Sequence, residues 1–181
     1  MSSVSDLVYP LSLMRMARKL PRLNFTQIET IDIPEPYLGL LVHEGDMTSR
    51  LEGYHEKSIR VRCLRSSNDG KSYFREVILE TEQEARPAEY GAIEISLNSL
   101  PGEVRKLVVE AKQPLGGILN DSRIPYSSSP KAFLSVIPDG PIIEAFGTVE
   151  ADILYGRSNE IFGLNGDCIA RIVEILPVLE T

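Results

Sequence analysis

Histidine and cysteine are both scarce in this sequence, two of each in 181 residues, and much is excluded by that alone. Cys63 and Cys168 fall in stretches that alternate like strands, with no metal-ligand spacing around them. They read as buried free thiols in a reducing cytosol. His43 and His55 stand near the first turn, in segments that read as surface, where an ordinary polar histidine is expected. No Ser–His–Asp or Cys–His nucleophile set stands out, and no group of His, Cys, Asp or Glu has ligand spacing, so no metal is expected. Gly116-Gly117 lacks the strand–loop–helix glycine pattern of a nucleotide cradle, and no lysine follows it. No apolar run approaches the roughly 18 residues of a membrane span. The stretch Met1–Asp6 lacks the basic region and apolar run of a secretory signal, so a cytoplasmic protein is expected. Basic residues are the minority charge, 19 against 26 acidic, for a net charge of -7. That balance argues against nucleic acid or an anionic membrane as the main partner.

What is present is an ordinary globular composition, 43% apolar and 25% charged, in a chain long enough to bury a core without staples. A single domain over 1–181 is expected, with residues 1–34 as a helical extension. Leu7, Leu11, Met14 and Arg18 predict a helix from Asp6 to Leu20, and Arg15, Arg18, Lys19 and Arg22 read as its solvated face. Pro36 opens a short helix through Val42, and Gly45-Asp46-Met47-Thr48 reads as a turn. Lys57–Arg65 and Ser72–Glu80 alternate as two strands of a hairpin, and Glu89–Leu97 as a third strand. A helix follows through Pro101, Val104, Leu107 and Val108, then a short helix or turn at Pro114–Leu119 and a loop over Asn120–Pro130. Ala132–Ile137 and Ile142–Tyr155 read as further strand material. The last long hairpin pairs Arg157–Phe162 with Cys168–Leu176 about a two-residue turn at Asn165-Gly166, which sets Arg157 opposite Glu174. Adjacent strands with few crossover helices imply an α+β fold, an antiparallel sheet of about six strands flanked by helices.

Two charged residues contradict the apolar faces that carry them. Arg75 shares a strand face with Tyr73, Val77 and Leu79, while Glu174 shares one with Cys168, Ala170 and Ile172. Two guanidiniums, Arg75 and Arg157, suit a ligand with two carboxylates, and Glu174 is placed to accept from a hydroxyl or take a proton. A structural ion-pair network explains the same spacing, and both readings stay open here.

The segments Gly45-Asp46-Met47-Thr48, Phe74-Arg75-Glu76-Val77-Ile78-Leu79, Pro114-Leu115-Gly116, Gly156-Arg157-Ser158 and Glu174-Ile175-Leu176-Pro177 occur in the order seen in chorismate pyruvate-lyases. Over roughly Pro36–Pro177 the chain resembles that family. The resemblance implies a six-stranded chorismate lyase-like sheet with a buried site under helical flaps. It also implies a cofactor-independent carbon–oxygen lyase that eliminates pyruvate from chorismate to give 4-hydroxybenzoate for ubiquinone, plastoquinone or phenolic-lipid biosynthesis. Substrate chorismate and the aromatic acid product would be its small-molecule partners. On this resemblance Arg75 holds the ring carboxylate, Glu174 sits near the ring hydroxyl and departing ether, and both would be catalytic. Met47 and Leu115 close over the ring, with Thr48 and Arg157 beside them in the substrate site. The sequence departs from the family pattern at Tyr155, where a tryptophan is usual, and at Ala92, where an arginine leads into the third strand. The missing arginine favours an alternative, a non-catalytic module of the same fold that binds a small aromatic carboxylate.

Overall fold

The computed structural model describes residues 6–180, so the reading of Met1–Ser5 as free of a leader lies outside the described residues. In chain order the elements are α1 (Leu11–Ala17), β1 (Phe25–Ile28), α2 (Tyr37–Leu41), α3 (Met47–His55), β2 (Ile59–Asn68), β3 (Ser72–Thr81), β4 (Pro87–Ser96), α4 (Gly102–Glu110), α5 (Leu115–Asp121), β5 (Tyr126–Val136), α6 (Gly140–Phe146), β6 (Leu154–Gly163) and β7 (Cys168–Ile175). The strands form one sheet in the order β1-β5-β6-β7-β4-β3-β2, every neighbouring pair antiparallel.

Both faces of the sheet are covered, which is why the inner strands carry apolar side chains on both sides. On one face Ile78, Tyr90, Ala92, Leu134, Leu154 and Val173 pack against Leu11 and Met14 of α1 and Ile142, Ala145 and Phe146 of α6. On the other, Tyr73, Ile93, Ile95, Ile161 and Ala170 meet α4 and α5 through Val104, Val108, Leu115, Ile118 and Leu119. Beside them Val77 and Leu79 meet Tyr37, Leu40 and Leu41 of α2 and Met47 and Leu51 of α3.

Several expectations are corrected. The sheet has seven strands, not about six, because Phe25–Ile28 adds an edge strand to β5. The stretch from Ile142 is helix α6, capped by Asp139, whose side chain accepts from the Ile142 N–H; its branched residues read as strand locally, but Ile142, Ala145 and Phe146 form one helical stripe on the core. Gly45–Thr48 is the entry to helix α3, with Asp46 as its cap. The expected helix over Asp6–Leu20 forms only from Leu11 to Ala17, and its basic face is not simply solvated. Arg15 is buried and pairs with Asp139, and Arg18 pairs with the buried Glu76. The cysteines are free, but half-buried rather than fully buried, and burial raises both thiol pKa values.

The last hairpin keeps its expected register by a different turn. Arg157 lies opposite Glu174, yet the Gly166 N–H bonds the Gly163 carbonyl, which makes Leu164 and Asn165 the central pair. Gly166 alone in this turn has positive φ, +83°, and a one-residue slip near Phe162 restores the pairing expected further along.

Candidate functional site

Period-two alternation puts Arg75, Val77 and Leu79 of β3 on one face with Glu89, Gly91 and Ile93 of β4, Ile172 and Glu174 of β7, and Arg157, Asn159 and Ile161 of β6. The register sets Arg75 opposite Ile93, Gly91 opposite Glu174, and Glu174 opposite Arg157. Above this face the N-terminal ends of α3 and α5 leave a cavity of about 50 Å³. Met47, Thr48, Leu115 and Gly116 form its helical side, and Arg75, Glu89, Asn159 and Glu174 are the polar groups of its sheet side, set among apolar neighbours.

Arg75 is 2% exposed, and its guanidinium meets main-chain oxygens only: Nη1 donates to Val108 O at 3.4 Å and Nη2 to Gln113 O at 3.2 Å. Val108 belongs to the last turn of α4, where a cation is favoured by the helix dipole. Nε and the Tyr73 hydroxyl lie close to one another, but neither makes a hydrogen bond of good geometry. Among the described residues no carboxylate pairs with Arg75, and burial lowers its pKa. A buried guanidinium without a carboxylate partner, on a residue that lines a cavity, is able to receive an anion.

Arg157 is arranged differently. It is fully buried, its Nε pairs with Glu174 Oε2, and its Nη1 donates to Leu41 O at 3.3 Å and His43 O at 3.1 Å. These bonds tie α2 and the segment after it to the sheet, and Arg157 lies behind Glu174, outside the cavity wall. Main-chain approach of β4 and β6 to β7 fixes Glu174: a Cβ at Gly91 would collide with Val173 O, and one at Gly156 with Glu174 O.

Glu89 completes the acidic end. It is 4% exposed with Oε2 unpartnered, and burial, reinforced by the charge of Glu174, raises its pKa well above the usual glutamate value. Arg157 opposes the shift without cancelling it. The shift favours the neutral form of Glu89. Asn159 exchanges hydrogen bonds with Ser128 at 2.8 and 3.1 Å, which fixes its amide at the cavity wall.

Asp46 lines the cavity and ties α3 to α5 and β5. It accepts from Ser49 N at 2.8 Å as the α3 cap, and from Asn120 and the Tyr126 hydroxyl, each at 3.2 Å. Burial opposes ionisation of Asp46, but the Ser49, Asn120 and Tyr126 hydrogen bonds outweigh it and its pKa falls. Gly116 makes this latch possible, since a Cβ there would lie 2.9 Å from the Asp46 carboxylate. Behind the latch, His43 is buried rather than on the surface, and burial, with the charges of Arg157 and Arg50, pushes its pKa down to about 4. His55 is half-buried with Nε2 unpartnered, again not the open position expected.

The structure thus brings Arg75, Glu174, Met47, Thr48 and Leu115 to one cavity and sets Arg157 behind it. Sequence reasoning missed Glu89, Asn159 and Asp46 as wall residues. Glu89 had a signal, since it lies on the same alternation as Ile93 and Ile95, a carboxylate on an apolar face like Glu174. The Ala92 side chain packs in the core of the opposite face, although the residue also contributes to the cavity lining.

No family model matches the sequence, and no curated protein does. Solved structures resemble its fold. PhnF from Mycobacterium smegmatis matches with a TM-score of 0.56 at 10% identity, over 75% of this chain and 65% of that one. The effector domain of PhnF alone matches at 0.53 and 10% identity, over 76% of this chain and 96% of that domain. The ligand-binding domain of a proposed GntR-family transcriptional regulator from Bordetella bronchiseptica matches at 0.50 and 12% identity, over 65% of this chain and 85% of that one. The chain therefore spans about 65% of the length of intact PhnF and carries the fold of its effector domain.

These likenesses correct the resemblance to chorismate pyruvate-lyases and the six-stranded lyase-like fold. With them go the expectation of a carbon–oxygen lyase, of chorismate and 4-hydroxybenzoate as partners, and of a place in ubiquinone or plastoquinone biosynthesis. The site gives the physical reason. Arg157 pairs with Glu174 and two carbonyls and lies outside the cavity wall, its unpartnered Nη2 included, so it does not face the cavity as a second carboxylate holder, and Glu174 is held as its ion-paired partner. Among the described residues, no helix is long and apolar enough to cross a membrane, and no group of three or more His, Cys, Asp or Glu is placed to hold a metal ion.

Proposed function

We propose that this chain is a non-catalytic module that binds a small anionic molecule, a carboxylate in type, between the sheet and the α3–α5 ends. The observation that carries this reading is Arg75: buried, without a carboxylate partner, and with Nε free at a cavity wall. Its fold likeness to effector and ligand-binding domains supports the same reading. Met47, Thr48 and Leu115 cover the ligand, Glu174 shapes the far end, and Arg157 acts through Glu174. At about 50 Å³ the cavity is well below the roughly 300–1,000 Å³ of ligand pockets, so entry parts α3 from α5. The whole chain, 1–181, acts as one domain in this proposal, because α1 completes the core on the far face.

The test is calorimetric titration and thermal shift with benzoate, short aliphatic carboxylates and inorganic phosphate, on the wild type and on Arg75→Ala. Carboxylate binding that is lost in Arg75→Ala is the expected result. Binding of equal strength in both proteins, or none in either, overturns the proposal.

A further inference from the structure

We propose that the ligand is bipolar, with its carboxylate at Arg75 and a hydroxyl at Glu89, joined by a short apolar body. This rests on the binding function proposed above and specifies the ligand class for the same cavity.

Two buried polar groups in one cavity wall lack partners, Arg75 Nε and Glu89 Oε2. Asn159 bonds Ser128 and Glu174 Oε2 bonds Arg157, so among the fully buried polar side-chain atoms of the lining residues these two are left without partners. They lie at opposite ends. Arg75 is opposite Ile93, and Glu89 stands four residues earlier on β4. At roughly 3.3 Å per residue that is about 13 Å of strand, which two long side chains facing one cavity shorten to the span of a small acid. Between them the wall is Val77, Leu79, Ile93 and Ile172, suited to a hydrocarbon body.

The far pole selects a hydroxyl on electrostatic grounds. Burial and the charge of Glu174 shift Glu89 toward its protonated form, and Glu174 itself is ion-paired with Arg157. With Glu174 paired to Arg157, the unpartnered Oε2 of Glu89 offers an ammonium little counter-charge, whereas a carboxyl group shifted toward its protonated form both donates to and accepts from a hydroxyl. A second carboxylate there would face Glu174, and a methyl end would leave Oε2 unsatisfied.

The experiment is calorimetric titration at pH 7 of matched acids: butyrate, valerate and caproate, each against its omega-hydroxy and omega-amino counterpart, and benzoate against its hydroxy derivatives. The hydroxy acid of fitting length should bind about tenfold tighter than its unsubstituted partner. Glu89→Leu should bring that ratio to about one, and Glu89→Gln, which still donates and accepts, should keep part of it. Arg75-dependent binding with no hydroxyl preference, or with the amino acid preferred, overturns this inference and leaves the binding function standing. No carboxylate binding at all overturns both. A hydroxyl preference that persists in Glu89→Leu places the second pole elsewhere and also overturns it.

Discussion

Replacing Arg75 by methionine separates a ligand-binding arginine from a structural one. Methionine fills similar volume without charge, so the change removes two main-chain hydrogen bonds and the favourable end of the α4 dipole. At 3.4 and 3.2 Å those bonds are long, at the weak end of the roughly 1.5–3 kcal/mol assigned to a charged donor, and the dipole adds about 0.3–1 kcal/mol. Against this stands the desolvation of a guanidinium only 2% exposed and without a carboxylate partner, which costs several kcal/mol. The two sides nearly cancel or favour methionine. Stability should stay level or rise by up to about 2 kcal/mol, which is a gain of up to about 8 °C in Tm for a chain of this size. Benzoate binding should weaken by about 2–5 kcal/mol, thirtyfold or more in Kd. Differential scanning fluorimetry and titration calorimetry on the same preparation read both numbers. A Tm that falls by more than about 6 °C while Kd stays put would refute the reasoning and make Arg75 a brace for the α4–α5 connection.

Three further outcomes are expected. His43, with its pKa at about 4 in the folded chain against the ordinary 6.5, takes up its proton more readily when unfolded, so it subtracts stability as pH falls between those values. Replacing it by glutamine should flatten the fall in Tm from pH 7 to pH 5, and an unchanged slope would show that His43 titrates normally. Asp46→Ala should destabilise by about 0.5–2 kcal/mol through loss of the α3 cap, and should also speed ligand association in stopped-flow measurements. Tyr126→Phe, which keeps the cap, should give the faster association alone; identical rates in both variants and wild type would remove the latch. Gly166→Val places a branched side chain at a φ of +83° and should destabilise by roughly 1–3 kcal/mol, so an unchanged Tm would show that the turn adjusts freely.

Alternation and turn chemistry are local, and what they govern was legible in the sequence. Arg75 on the face of Tyr73, Val77 and Leu79, and Arg157 opposite Glu174, follow from a period of two and a hairpin whose strands are close neighbours in the chain. Even there the turn type escaped, because a bulge near Phe162 offsets the extra turn residue and leaves the interior register the same. Tertiary structure decided the rest. Ile142–Phe146 looks like strand by composition, and only the stripe it buries against Tyr90 and Leu134 makes it a helix. Short motifs in order resembled one family, yet what the charged residues do depends on partners far along the chain. Arg157 pairs with Glu174 and with carbonyls of Leu41 and His43 behind the cavity, whereas Arg75 meets the end of α4 and lines the cavity with no carboxylate partner. The pKa of Glu89 is raised by burial under α3 and α5 and by Glu174, which the β4–β7 pairing brings near. Sequence periodicity chooses the face of a strand; the dielectric, the partner and the protonation state on that face are set by elements that only folding brings together.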